Sequence, residues 1–441
     1  MTIFLRPILL LAATFLIGAA PHEPVHQGVR ILYRNASLID GTGRGLQTGM
    51  AVLTDGERIV AVMHESQVGP NQLAGAQEID LAGKFLIPGL IDSHQHFATP
   101  PDRAEAEARL RRDVYSGITG TRDMADDLRQ VADLTRAARV GEIASPDIAY
   151  AALMAGRSFF DDPRTQAISA GAKAGEVPWE QAMDFSTDME LATARAKGTY
   201  AAAIKIYANL PGSLVAKITH EAHRQGMRVW AHGMVFPATP FEVVDAGVDT
   251  VSHTCYLAYQ AMAKRPDSYQ HRFPVDASLF RQDNPVMAKL FADMARRGTV
   301  LDATLHVYRE VEAAAREQHK PALCTVALAG RLTNQAYRSG VAISAGTDGD
   351  TPLNDPLPSL FDELELLHDA AGLPPMAVLG SATIIGARAM GEDKQMGSIE
   401  PGKLANMVVL ARNPLEDVRN FRTIVLTVKR GRKFPRSDFR R

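Results

Sequence analysis

Cysteine is nearly missing from this chain of 441 residues: only Cys255 and Cys324 occur. Two thiols exclude a disulfide-stapled scaffold and any zinc or iron–sulfur site built from four cysteines, and both are read as free thiols. Charge of one sign is not in excess either, with 48 Lys and Arg against 50 Asp and Glu and a net charge of −2. A balanced chain that is 46% hydrophobic is neither a disordered tail nor a polybasic nucleic-acid binder. There is no tandem repeat and no low-complexity tract. A run of 18 apolar residues, enough for a membrane span, is also lacking. What is present at the start is Arg6, an apolar run over 8–17, then Gly18, Ala19 and Ala20. That order reads as a secretory signal over 1–20. It implies a secreted or periplasmic protein that is soluble after cleavage.

Two textures follow. Residues 28–86 carry short alternating apolar runs, and Asp55-Gly56 between the runs 50–53 and 58–62 predicts a hairpin, because both turn positions accept positive φ. The C-terminal stretch 395–434 has the same texture. Neither end could bury a core alone, so the two are expected to pair as one small β-sandwich domain. Between them, over 87–394, apolar runs alternate with helical patterns. Runs at 85–92, 118–124, 149–154, 202–207, 229–234, 250–254, 300–305 and 342–347 make eight β segments. The expected fold is therefore α/β: a (β/α)8 TIM barrel, with its chemistry at the C-terminal ends of the strands. Two connections, 156–186 and 255–285, are long enough to serve as lids or substrate walls.

His94-Gln95-His96 ends the first barrel strand. Alternation along a strand puts both imidazoles on one side, facing the barrel mouth, where they can hold a metal. In a chain with 13 histidines the pair alone says little, and its support is positional. Lys205, His232, His253 and Asp348 lie at or near the ends of the fourth, fifth, sixth and eighth predicted strands. Six metal-competent groups thus converge on one rim. A lysine inside an apolar strand is costly as an ammonium, because burial disfavours the charged form. As a neutral amine beside metal ions it can take up carbon dioxide as a carbamate and supply a bridging anion.

With NASLIDG at 35–41, FLIPGLIDSHQHF at 85–97, Ile204-Lys205-Ile206, Gly346-Thr347-Asp348 and GSIEPGKLANMVVL at 397–410, the chain resembles the amidohydrolase superfamily over nearly its whole length. The resemblance implies two divalent metal ions, with zinc the usual tenant, and a carboxylated Lys205 bridging them. His94, His96 and Asp348 would bind the more buried ion, and His232 and His253 the more exposed one. It further implies that a metal-bridging hydroxide attacks an amide, peptide or N-acyl amino acid in type, while Asp348 acts as base and then acid. The nearest branch is the prolidase and imidazolonepropionase-like one. The Gly-Gly-His-Gly of the prolidases and related carboxypeptidases is replaced here by Ala155-Gly156-Arg157-Ser158, and their His-Ala-His by His232-Gly233-Met234, so cleavage of proline or arginine dipeptides does not follow from the resemblance. His232-Gly233-Met234-Val235 lacks the Glu that base deaminases carry three residues on, and Ala98 stands where dihydroorotases usually have Arg. A mononuclear deaminase with Lys205 as a bystander, or a lactonase of the same superfamily, is the alternative. A barrel that has lost catalysis is disfavoured by six occupied ligand positions.

The expected partner is a small-molecule or short-peptide substrate, and homo-oligomerisation is compatible with the pattern. Arg157, at the mouth of the third strand, is a candidate for binding a substrate carboxylate. Tyr207, Tyr256, Tyr259, His306 and Tyr308 are candidates for lining the pocket. Asp350 is a rival to Asp348, which directly follows the strand run. His220-Glu221-Ala222-His223 is not a zincin motif, because its histidines are three rather than four apart. Arg122 and Asp123 are expected to support the site, and Trp230 to pack in the core. The tail from Lys429, with seven Lys or Arg, reads as a solvated face rather than a nucleic-acid site.

Overall fold

The computed structural model describes residues 28–349 and 351–440, so the proposed signal over 1–20 and the rival carboxylate Asp350 lie outside the described residues. Eight parallel strands form a nearly closed barrel: Leu90–Gln95, Ile118–Asp123, Asp147–Gly156, Ala203–Ile206, Arg228–His232, Thr250–Ser252, Val300–Asp302 and Ile343–Ser344. The ring closes where Ser93 N donates to Ala345 O at 2.8 Å and Asp348 N to His94 O at 2.9 Å. The strands read as apolar runs because helices cover the sheet's outer face and side chains fill its interior. Ile204, Val229, Trp230, Val251 and Leu301 are fully buried accordingly.

Strands from the two ends of the chain share a separate mixed sheet. Phe85–Pro88 joins them, pairing antiparallel with Met407–Leu410 and parallel with Arg30–Leu38. Ile31, Tyr33, Val52, Leu86, Met407 and Val428 form its core. The expected hairpin is present, with Asp55 opposite Arg58 and Gly56 at φ 54°. The run read as one barrel strand over 85–92 is two strands. The break falls at Gly89, where a Cβ would stand 2.1 Å from Thr119 Oγ1, so the chain passes from one sheet to the other through a position only glycine fits.

Two further expectations are corrected. Cys255 and Cys324 are bonded to each other, with their Cα atoms 6.3 Å apart. A sequence separation of 69 residues hides such a pairing from any local pattern. The basic tail is not simply solvated: Ile424–Lys429 and Arg432–Pro435 are strands of the terminal sheet, and Lys429 Nζ and Arg430 Nε both reach Asp147 at 2.9 Å. None of the described helices is long and apolar enough to cross a membrane.

The long connection after the third barrel strand adds a short strand, Glu180–Met183, beside Asp147–Gly156. Glu180 is fully buried there, and burial pushes its carboxyl up to about 8. The folded chain then holds a proton that the unfolded chain releases above about pH 4.3. This group's contribution therefore falls as pH rises from that value to about 8. Glu180→Gln is expected to raise stability at pH 8 by about 2 kcal/mol and to do much less at pH 5. Equal effects at the two pH values in urea unfolding would contradict the protonated state.

Candidate active site

Parallel strands carry their C-terminal ends to one rim, and side chains from several of them meet there. His94 lies in the first strand and His96 one residue beyond it; Lys205 is in the fourth, and His232 closes the fifth. His253 follows the sixth strand and Asp348 lies beyond the eighth, both in left-handed backbone at φ 73° and 47°. Non-glycine residues held in that region are strained and need surrounding structure to hold them. Part of that structure is Asp92, whose carboxylate accepts from His94 N at 3.0 Å, Thr347 N at 3.1 Å and Thr347 Oγ1 at 3.0 Å. Gly346 is required for a second reason: a Cβ there would lie 2.1 Å from Asp302 Oδ1 and 2.8 Å from His94 Cβ.

Two carboxylates orient the first pair of imidazoles. His94 Nδ1 bonds Asp302 Oδ2 at 2.7 Å, and His96 Nδ1 bonds Asp126 Oδ1 at 2.6 Å. The remaining Nε2 atoms both lie 3.4 Å from Asp348 Oδ1. His253 Nδ1 is 3.7 Å from Asp348 Oδ2. His232 is buried 4.8 Å from the His253 ring, and its Nδ1 has no hydrogen-bond partner among the described residues. Lys205 is fully buried, with Ser252 Oγ at 3.5 Å as its hydrogen-bond contact.

The electrostatics follow from burial and from this arrangement. Burial lowers the pKa of His253 to about 3 and that of Lys205 to about 7, and it drives His232 well below the usual histidine range. His253 and His232 are therefore held neutral, the form in which nitrogen donates to a metal, while Lys205 loses its charge around neutral pH. His96 is the exception: burial opposes its charge, but Asp126 and Asp348 outweigh burial and hold its pKa well above the ordinary value. Asp348 is likewise disfavoured by burial, yet His94, His96 and His253 hold its carboxyl far below the usual range.

The donor set fits a divalent ion. His94, His253 and Asp348 each present a ligand atom within 4.8 Å of the others. Two donors about 2.1 Å from one tetrahedral ion stand about 3.4 Å apart, the observed spacing of each Nε2 from Asp348. His232, whose ring centroid is 4.8 Å from that of His253, adds a buried Nδ1 without a hydrogen-bond partner among the described residues.

Two adjoining cavities of about 280 Å³ each open from this cluster, sharing His96, Arg164, Tyr207 and Asp348. Tyr207, Tyr256, Tyr259 and Tyr308 line them, and the expected candidates Arg157 and His306 do not. Arg157 is 68% exposed, with its nearest acid Asp184 at 4.0 Å. The turn Arg157–Asp161 buries Phe159 and Phe160 and so directs Arg157 outward. His306 is buried behind Glu310 and Arg309, bonded to them at 3.1 and 2.9 Å. His223 is a surface residue 2.9 Å from Asp249.

Asp302, Asp126, Arg164, Tyr269 and Arg272 were not picked out from the sequence. Asp302 ends the seventh strand, and a carboxylate closing an apolar barrel strand was a usable signal. It accepts from His94, from Ser252 Oγ at 2.9 Å and from Arg122 Nη2 at 3.2 Å. Arg122 also bonds Ser93 O at 2.7 Å and lies 4.6 Å over the buried Trp230 ring, so the expected supporting and core roles describe where these residues sit. Asp126 lies just past the second strand, and Arg164, Tyr269 and Arg272 come from the two long connections.

Residues 85–433 match the Amidohydrolase family. The chain belongs to the amidohydrolase family. It is a hydrolase of a class acting on carbon–nitrogen bonds. This amidohydrolase is 23% identical over 394 residues to imidazolonepropionase from Legionella pneumophila (strain Paris), covering 86% of this chain and 91% of that protein. It spans only about a quarter of imidazolonepropionase from Arthrobacter sp. (strain FB24), at 41% identity over 110 residues, which is 23% of this chain and 25% of that protein. Among solved structures it is similar to a Xaa-Pro dipeptidase with bound methionine in the active site, at TM-score 0.72 and 21% identity, covering 92% of this chain and 100% of the other. Ochratoxinase of A. niger gives TM-score 0.72 and 20% identity, covering 93% and 96%. These structural likenesses establish the amidohydrolase's fold.

Proposed function

We propose that this amidohydrolase cleaves the amide bond of a short peptide or N-acyl amino acid at a centre of two divalent ions, with zinc the first candidate. His94, His96 and Asp348 would hold one ion and His232 and His253 the other, with a carboxylated Lys205 between them. The observation that carries this reading is the lining of one cavity by His94, His96, His232, His253 and Asp348, with the Nδ1 atoms of His94 and His96 engaged by Asp302 and Asp126 and their Nε2 atoms turned to Asp348. Lys205 supports the carbamate: its buried amine has no carboxylate within 4.0 Å among the described residues.

When bound, the ions supply Lewis-acid polarisation of the carbonyl and a lower pKa for water. The chain's own residues do the rest. Asp348, ionised beside three imidazoles, accepts the proton of the attacking water at a carboxylate oxygen and returns it to the leaving nitrogen. Asp302 and Asp126 fix the tautomers of His94 and His96. Phe159 and Tyr207 stack 4.4 Å apart and Tyr269 meets both edge-on, and the three rings would keep bulk water away from the cluster.

A cavity of about 280 Å³ suits a ligand of dipeptide size, and the likeness to a Xaa-Pro dipeptidase supports that size class. The apolar run over 8–17 and the Cys255–Cys324 bond support a secreted or periplasmic location, where disulfides persist. The reading is tested by incubating the metal-loaded protein with dipeptides and N-acyl amino acids. One primary amine per new carboxylic acid is expected. Release of ammonia from ring amines without chain cleavage would instead identify a deaminase.

A further inference from the structure

Two arginines enter the cavity beside the candidate centre, and they differ in one respect. Arg164 is neutralised by Asp162, which accepts from its Nε at 3.0 Å and its Nη2 at 2.8 Å. Arg272 has no carboxylate within 4.0 Å among the described residues, although it is half-buried. Its Nε donates to Tyr269 O at 2.7 Å, its Nη1 donates to the Tyr256 hydroxyl, and its guanidinium carbon stands 3.5 Å over the Tyr269 ring. No hydrogen-bond partner of Nη2 is found among the described residues. The fork is thus held in place by stacking and by two hydrogen bonds, with no carboxylate paired to it directly among the described residues. A guanidinium fixed in this way is matched to a carboxylate, which it can bind through two parallel N–H groups.

The surroundings define what carries that carboxylate. The same cavity is lined by His232, His253 and Asp348 and also by Val275, Val307, Val311 and Leu323. A ligand that reaches both the centre and Arg272 therefore shares the cavity with these apolar side chains. We propose that Arg272 is the specificity-determining residue of the site, binding the free carboxylate of a leaving amino acid whose apolar side chain lies against Val275, Val307 and Leu323. The assignment of that amino acid as the leaving group rests on the amide-hydrolase reading, whereas the carboxylate site itself does not.

The test uses ligands that contain no amide. Metal-loaded wild-type protein and the variants Arg272→Gln and Arg272→Lys are titrated calorimetrically with 4-methylpentanoate and 3-phenylpropanoate, each paired with the corresponding primary alcohol. The wild type is expected to bind at least one acid about tenfold more tightly than its alcohol. Arg272→Gln should lose that preference, and Arg272→Lys should keep part of it. Circular dichroism melting shows whether each variant is folded, and the lysine variant preserves the comparison if the glutamine variant is not. Acid and alcohol binding equally to the wild type would overturn the proposal. So would an acid preference that survives Arg272→Gln, since the carboxylate would then sit on the metal ions. If the acid preference depends on Arg272 but no amide is cleaved, the carboxylate site stands and the hydrolase reading falls. If amides are cleaved without such a preference, the reverse holds.

Discussion

Replacing Asp348 with Asn is expected to lower amide turnover by about 10²- to 10⁴-fold, the range over which a positioned proton-transfer group contributes. The change is nearly isosteric but removes the carboxylate on which His94 and His96 converge at 3.4 Å. It also removes a carboxylate that His94, His96 and His253 hold ionised. The loss should fall on kcat rather than on substrate affinity, because proton transfer belongs to the transition state. Steady-state kinetics on the cleaved amide, at metal concentrations that saturate both proteins, checks this. Unchanged kcat would remove Asp348 from the chemistry.

The second large effect is expected at Asp302. Its Oδ2 serves His94 Nδ1, Ser252 Oγ and Arg122 Nη2 together, and both Asp302 and Arg122 are fully buried. Asp302→Ala would leave the Arg122 guanidinium in the barrel interior without its ion-pair partner. Breaking a buried pair from one side costs about 3–5 kcal/mol, readable as a fall in stability by urea unfolding. Asp302→Asn keeps an acceptor but loses the charge. It should be milder in stability while weakening metal affinity by about 10- to 100-fold, since the carboxylate fixes the tautomer of His94. An Asp302→Ala protein as stable as wild type, with unchanged metal affinity, would contradict the network.

Much of this architecture was legible because strand ends in a barrel are also the places where polar groups can interrupt apolar runs. His94, Lys205, His232, His253 and Asp348 stand out in sequence for that reason; in the structure the three histidines and Asp348 line one cavity, and Lys205 is buried beside Ser252. The exact passage between the two sheets was not legible, because an apolar run from 85 to 92 has one periodicity whether it forms one strand or two. Only the close approach of Thr119 at Gly89 separates them. The substrate walls were visible as long connections, but which side chain turns inward was not. Arg157 begins a turn whose two phenylalanines take the interior, whereas Arg272, deep in the other connection, lines the cavity with the candidate ligands. Loop conformation depends on such competition among side chains, and no spacing rule records it. Nor does spacing record the Cys255–Cys324 bond, which joins elements far apart in the chain.

The most direct test of the account is the ratio of metal to protein. The measurement uses protein purified without chelators and with bicarbonate present, and compares the wild type with Lys205→Ala. About two divalent ions per wild-type chain, with a clear fall in the variant and amide hydrolysis falling with it, is the predicted result. Amide hydrolysis by wild-type protein that holds no metal after supplementation would contradict it.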